Sequence, residues 1–323
     1  MTFVSSQDGF VLGQVSCAAT LCYGLAKTTD AGRSWTFVAD LPMAPQQNQP
    51  ITKVRFADAH DGWAFGPQLW STHDGGLSWH QLATTTHAFD VEASAGLVYV
   101  LAAGCSTDAC SAPAKLLKAT VASDAFAAVP GAAPIGSAGQ LALHGKAVWV
   151  FGGAQGAGAS YLSSPDGVTW QRRSDPCPQG SDPSTLGGIA PVTATTVYLL
   201  CASNPGAGSE TKVVLLSTDG GATAHATAAA PARGGISSSI AAASASVVAV
   251  SAQSGASWIY RSGDAGRSWV SAFEKGDGGL GVEDLGFTTS TQGVAIYGTP
   301  GNGNPSLLLM TRNAGATWAP VTF

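Results

Sequence analysis

Thr72-His73-Asp74-Gly75-Gly76-Leu77-Ser78-Trp79 decides how this chain folds, because the same phrase returns along its whole length. Thr28-Thr29-Asp30-Ala31-Gly32-Arg33-Ser34-Trp35 precedes it, and Ser262-Gly263-Asp264-Ala265-Gly266-Arg267-Ser268-Trp269 repeats it in full. Ser164-Pro165-Asp166-Gly167-Val168-Thr169-Trp170 is one residue short. Ser217-Thr218-Asp219-Gly220-Gly221-Ala222-Thr223 has Ala224 in place of tryptophan, and Thr311-Arg312-Asn313-Ala314-Gly315-Ala316-Thr317-Trp318 has an amide in place of the acid. From Asp30 to Asn313 the marked positions lie 44, 92, 53, 45 and 49 residues apart, so a worn copy is expected inside the double gap. It falls on Thr120-Val121-Ala122 through Phe126, read as keeping a hydroxyl and an aromatic but losing the acid and the glycines.

A β-rich run precedes each phrase: Gly9 to Gly13, Gly62 to Gly66, Leu97 to Val100, Ala147 to Val150, Thr196 to Leu199, Ser246 to Val250 and Gly293 to Tyr297. A hydroxyl-rich or apolar strand stands before each run, such as Ile51 to Phe56 or Asp284 to Thr288. A further strand follows each phrase, such as Ser78 to Leu82. Each unit therefore reads as four short antiparallel strands. Units of about 45 residues cannot bury both sheet faces alone, whereas radial stacking lets each sheet cover its neighbours. The expected fold is all-β: one seven-bladed β-propeller filling residues 1–323, with blades near 1–39, 40–84, 85–130, 131–175, 176–228, 229–273 and 274–323.

Composition agrees with short strands and turns. Glycine occurs 41 times and only 11% of residues are charged, where soluble domains average roughly 25% charged, so little wet helical surface can be covered. A net charge of -5 and scattered cations exclude a nucleic-acid backbone as partner. No stretch reaches the length of a membrane span, and the first residues lack the basic start and apolar core of a signal peptide. Six cysteines fall at Cys17 and Cys22, Cys105 and Cys110, and Cys177 and Cys201, with no histidine near to complete a zinc site. Disulfides Cys17-Cys22, Cys105-Cys110 and Cys177-Cys201 are expected, and with them an oxidising compartment and a trimmed mature domain.

The phrase suits a hairpin between third and fourth strands: the carboxylate accepts backbone N–H groups in the turn, and glycine takes positive φ at low cost. The tryptophan can then pack under the turn and against the next blade. These residues resemble the Asp-box, or BNR repeat, with the pattern Ser/Thr-x-Asp-x-Gly-x-Thr/Ser-Trp. On that resemblance Asp30, Trp35, Asp74, Trp79, Asp166, Trp170, Asp219, Asp264, Trp269, Asn313 and Trp318 are structural, at the periphery and away from any ligand face.

In such a propeller the loops joining strands 2 to 3, and blade to blade, share one face, opposite the phrases. The cysteine pairs all map to that loop face. Its ionisable groups are read as Asp40, Asp90, Glu92, Arg172, Arg173, Asp175, Asp182, Arg233, Glu274, Lys275, Asp277, Glu283 and Asp284. Sialidases share the Asp-box propeller and use an arginine cluster, a tyrosine with a glutamate partner, and a further acid. Here the Arg-Ile-Pro leading the first arginine of that fold is missing, and the six tyrosines fall mostly in strands. Xyloglucanase-like glycosidases pair two propellers around a cleft, and this chain supplies one. The six histidines show no metal-ligand spacing, and His73 and His80, flanking a phrase, read as surface residues.

The pairing of Phe56-Ala57-Asp58-Ala59-His60-Asp61-Gly62-Trp63-Ala64-Phe65-Gly66 with the phrase at Thr72 to Trp79 resembles photosystem II stability and assembly factors and their bacterial relatives. Phe287 to Ala295 with Thr311 to Trp318 repeats the format. Assembly factors of that family bind a membrane-protein precursor through an arginine patch, of which only Arg172-Arg173 stand side by side here. The full repeat count and the scarcity of ionisable residues on the loop face, with the paired cysteines, point to an extracytoplasmic, monomeric, non-enzymatic binding or assembly scaffold with no cofactor, no metal and no catalytic residue, presenting its loop face to a protein or glycan. Arg172, Arg173, Arg233, Glu283 and Asp284 are the expected ligand-binding residues. The alternatives are a sialidase-like or xyloglucanase-like glycoside hydrolase, or a lectin using Trp70 or Trp258.

Overall fold

A computed structural model describes residues 1–17, 20–42, 51, 53–82, 86–104, 113–132, 139–151, 160–180, 182–276, 278–298 and 306–322. The chain is a seven-bladed β-propeller: seven four-stranded sheets, each with its strands in sequence order. Blade 1 is Thr2–Phe3, Gly9–Cys17, Thr20–Thr28 and Thr36–Asp40; blade 2 is Lys53–Phe56, Gly62–Phe65, Leu69–Thr72 and His80–Gln81. Blade 3 is Thr86–Ser94, Leu97–Gly104, Lys115–Thr120 and Ala127–Ala128; blade 4 is Gln140–His144, Ala147–Phe151, Ser160–Ser164 and Gln171–Ser174. Blade 5 is Ser184–Pro191, Val197–Ser203, Lys212–Ser217 and His225–Ala226; blade 6 is Ile236–Ala242, Val248–Gln253, Ser257–Ser262 and Val270–Lys275. Blade 7 is Val282–Phe287, Gly293–Tyr297, Leu307–Thr311 and Ala319–Pro320.

Contacts gather into two compact units, one holding Met1–Ala154 with Asp166–Gln171, the other Gln155–Pro165 with Arg172–Thr322. In the first, the opening strands of blades 1, 2, 3 and 4 pack in succession, and in the second those of blades 5, 6 and 7 do. First strands are thus inward and fourth strands outward. Some second strands are fully dry: Gly62–Phe65 and Ala147–Phe151 are buried at every residue. A strand buried on both faces needs no polar alternation, which is why these runs read as unbroken β-formers.

Blade faces interlock through aromatic residues. In the first unit Phe10 of blade 1 stacks on Phe56 of blade 2 with centroids 3.7 Å apart, and Trp79 meets Phe56 edge-on at 6.2 Å. Trp79 shares its core with Phe10, Tyr23 and Leu25, so it packs toward the preceding blade rather than the next. In the second unit Trp318 likewise joins Ala249 and Ile259 of blade 6, and Trp269 packs on Tyr198 and Leu200 of blade 5.

The phrase turns share one geometry. In blade 2 the Thr72 hydroxyl donates to Asp74 Oδ1 at 2.9 Å and accepts Gly76 N–H at 2.9 Å. Ser78 then donates its N–H to Oδ1 at 2.9 Å and its hydroxyl to Oδ2 at 2.5 Å. Asp30, Asp219 and Asp264 repeat the pattern, each taking N–H and O–H from the residue four positions on. In the shortened copy Asp166 takes both from Thr169 instead. Asn313 Oδ1 still accepts Thr317 N–H at 3.0 Å, while its Nδ2 donates to the Thr317 hydroxyl, reversing the third bond. Gly76 has φ +92, and a Cβ there would stand 2.1 Å from Leu25 Cδ2 of blade 1, so the close approach of the blades demands glycine.

Candidate functional site

The loop ends of blades 5, 6 and 7 are built around buried polar groups. Cys177, in the segment entering blade 5, is disulfide-bonded to Cys201 on that blade's second strand, with Cα atoms 5.5 Å apart. Both cysteines are buried, and Asp175 beside them accepts the N–H groups of Cys177 at 2.9 Å and Leu186 at 3.3 Å. Cys22 is disulfide-bonded as well. The side chain of Cys17, and both Cys105 and Cys110, lie outside the described residues.

Glu210 and Lys212 enter the third strand of blade 5 and are 3% and 1% exposed. The Lys212 ammonium donates to the carbonyls of Ala232, Arg233, Gly234 and Gly235 at 3.3, 3.2, 3.1 and 2.6 Å. Tyr260 of blade 6 sits beneath, its ring 5.9 Å away and its hydroxyl donating to Gly234 at 3.0 Å. Burial pushes the Lys212 pKa down, with Glu210 opposing. The Glu210 carboxylate accepts the N–H of Ser237 at 2.6 Å and, over a shorter contact, its hydroxyl. A buried ammonium ringed by carbonyls fixes the loop 232–235, because leaving the cation unpaired would cost several kcal/mol, on the order of a broken buried ion pair. Next to it, Gly279 approaches blade 6 so closely that a Cβ would fall 1.3 Å from the Ser254 carbonyl oxygen. Thr211 donates to Asp182 at 2.6 Å, and Arg233, 72% exposed, points toward that carboxylate at 4.0 Å.

Of the expected ligand residues, Arg233 alone lies on this loop surface. Arg172 and Arg173 sit on the outermost strand of blade 4, not in a loop. They donate to the Ser160 and Ser163 hydroxyls of the adjoining strand at 2.7 and 3.1 Å. Glu283 and Asp284 also belong to a strand, the inner one of blade 7. A bulge there shifts the register between Glu283 and Gly286 and puts Asp284 at φ 51. The five residues thus lie on the outer strand of blade 4, the inner strand of blade 7 and the segment entering blade 6. Sequence reading missed Glu210 and Lys212. The available signal was charge at the mouth of the apolar run Val213-Val214-Leu215-Leu216.

The inner strands of the first unit carry a second charged set. Arg55 of blade 2 pairs with Glu92 of blade 3 at 2.9 Å and reaches the Met1 carbonyl at 3.2 Å. Asp90 is buried, and its oxygens accept Val91 N–H at 3.0 Å and Leu141 N–H at 2.8 Å, tying blade 3 to blade 4. Burial raises its pKa against the pull of Lys53, Arg55 and those two amides. Among the described residues no cluster of His, Cys, Asp or Glu has a metal-binding arrangement. All six tyrosines lie in strands, and Trp258 stacks on Tyr260 at 6.3 Å.

No protein-family model matches the chain, and no curated protein matches it. Solved structures do. "YCF48 bound to D1 peptide" superposes with a TM-score of 0.62 at 16% identity, covering 96% of this chain and 91% of that one. YCF48 from Cyanidioschyzon merolae gives 0.54 at 15% identity, covering 85% and 86%. The GH74 xyloglucanase from Xanthomonas campestris gives 0.54 at 14% identity, covering 98% of this chain but 59% of the enzyme. At such identities the likeness is one of fold: this chain shares the seven-bladed propeller of the YCF48 structures over nearly the full length of both.

Proposed function

We propose that the chain is a non-enzymatic binding or assembly scaffold that works outside the cytoplasm and presents its loop face to a protein or glycan. The observation that carries this reading is the welding of the loop ends of blades 5 and 6. Cys177-Cys201, the Lys212 carbonyl ring and the Glu210-Ser237 bonds hold a surface in one shape before any partner arrives. Preorganised loops lose little entropy on binding, which favours recognition. Glu210 and Lys212 are engaged internally, while Arg233 is exposed beside Asp182. The YCF48 structure described as bound to a D1 peptide makes a peptide segment the first partner class to try. Persistent disulfides support the compartment.

Binding of the immobilised full chain to a random peptide library and a glycan array tests the reading. Ligands should be weakened at least tenfold by Arg233→Glu and left unchanged by Leu77→Glu on the phrase side. Turnover of xyloglucan or sialosides at ordinary enzymatic rates would instead establish the glycosidase reading that the GH74 fold likeness keeps in view. Glycan binding lost on Trp258→Ala would establish a lectin.

A further inference from the structure

The phrase side of blades 2 and 3 holds a charged chain that the scaffold reading does not use. His73, in the phrase turn of blade 2, has Nδ1 2.5 Å from Asp61 Oδ1 and Nε2 3.3 Å from Asp124 Oδ1. Asp61 lies in the turn between the first two strands of blade 2, and Asp124 in the worn phrase of blade 3. Asp124 Oδ2 also accepts the hydroxyl of Ser71, itself fully buried, at 2.9 Å. One imidazole thus faces a carboxylate at each nitrogen, across the boundary between two blades.

Only the imidazolium can serve both partners, since a neutral ring carries one N–H and presents a lone pair from its other nitrogen. Two further acids of the blade 2 turns, Asp58 and Asp74, are engaged within those turns. Asp58 takes the N–H groups of His60 and Asp61, and Asp74 is bound by Thr72 and Ser78. Of the side chains packed on His73, the two acting on it electrostatically are Asp61 and Asp124.

We propose that His73 is a pH-operated clamp between blades 2 and 3, closed while the ring is protonated and half-open once it is neutral. Partial burial works against the charged ring, but the hydrogen bonds and charges of Asp61 and Asp124 outweigh it and raise the His73 pKa above the ordinary histidine value. With the folded value above the unfolded one, the clamp contributes fully below about pH 6.5 and is lost as pH rises through the folded value. The shorter contact keeps the remaining proton on Nδ1 toward Asp61, so the Asp124 link is the one that breaks. The link from Asp124 to blade 2 is then the hydrogen bond from Ser71.

The test is a titration of the ¹⁵N-labelled full chain from pH 5 to 9, read by imidazole ¹⁵N shifts and by amide hydrogen exchange corrected for its intrinsic pH dependence. The expected result is a His73 midpoint above 6.5, an Nδ1–H tautomer in the neutral form, and falling protection of the amides of residues 121–126 across that midpoint. The loss should be roughly tenfold for each unit by which the midpoint exceeds 6.5. His73→Gln and Asp124→Asn should each abolish this step. A midpoint at or below 6.5, an Nε2–H tautomer, or unchanged protection through the titration would overturn the clamp, and the wild-type titration decides even if neither variant folds.

Discussion

The hairpin turns of blades 2 and 3 occupy the same place in the repeat and spend their acids in opposite directions. Asp74 folds back on its own turn, collecting donors from Thr72 and Ser78 within the hairpin. The sequence of the blade 3 phrase predicts the loss of its acid, with Ala122 at the marked position. It has Asp124, displaced beyond the expected position, which leaves its own turn to bind Ser71 and His73 of blade 2. The blade 3 turn lacks the glycines at which the intact phrase takes positive φ, and its acid bonds to the neighbouring blade instead. The difference teaches that one repeat position can be satisfied locally or across a boundary, and that the two solutions answer pH with opposite signs.

The largest break in the comparison should come from Gly76→Ala. Its φ of +92 and the 2.1 Å approach to buried Leu25 predict a loss of about 3 kcal/mol in urea unfolding. Ala122→Ser, at an exposed site in the blade 3 turn, should stay within about 0.5 kcal/mol. Asp74→Ala comes next, at about 1–2 kcal/mol for the lost turn bonds. Asp74→Asn should cost less than half of that, because Asn313 already shows how an amide keeps the pattern by reversing one bond. A cost for Asn equal to that for Ala would mean that charge, not geometry, holds the turn.

Acid and base should then separate the two turns. Hydrogen bonds from the Ser268 side chain and backbone hold Asp264 at about 2; at Asp74 burial works against the charged form, yet the hydrogen bonds from Ser78 and Thr72 together bring it to about 2. Ser34 and Thr223 hold Asp30 and Asp219 lower still. For groups depressed in the fold, stability is present above their unfolded value near 4 and lost as pH falls through the folded one, whereas the His73 contribution is lost on the alkaline side. A scan of Tm should show a plateau near pH 5 to 6.5, a fall toward pH 2 that Asp74→Asn lessens, and a smaller decline above neutrality that His73→Gln removes. The smallest effect is expected at Ala265, a non-glycine at φ 59: Ala265→Gly should raise stability by less than about 1 kcal/mol, measured by the same unfolding curves.

Much of the fold was legible because it depends on local chemistry repeated seven times. The phrase gives each hairpin its hydroxyl, acid and positive-φ position, and the unbroken β runs mark strands that are covered on both faces. The direction of tryptophan packing was not legible, since a hairpin sequence does not say which neighbour lies beneath it. Arg172 and Arg173 looked like a loop patch because they are adjacent cations beside a phrase, yet in a strand adjacent residues point to opposite faces and each here finds its own serine. Glu210 and Lys212 carry no local signal of their role, which rests on groups distant in sequence: Ser237 for Glu210 and the carbonyls of residues 232–235 for Lys212.

By itself the sequence determined the number of blades, the strands in each and the chemistry of the phrase turns, all set by interactions within a few residues. Tertiary structure alone decided which buried charges are satisfied and by whom. Lys212 in its carbonyl ring, Asp90 between two inner strands and His73 between two blades each depend on groups brought together only when the sheets pack. A repeat fixes what each blade needs internally. What a blade lends to its neighbour is set by the contact surface, where an ion removed from water must find a partner.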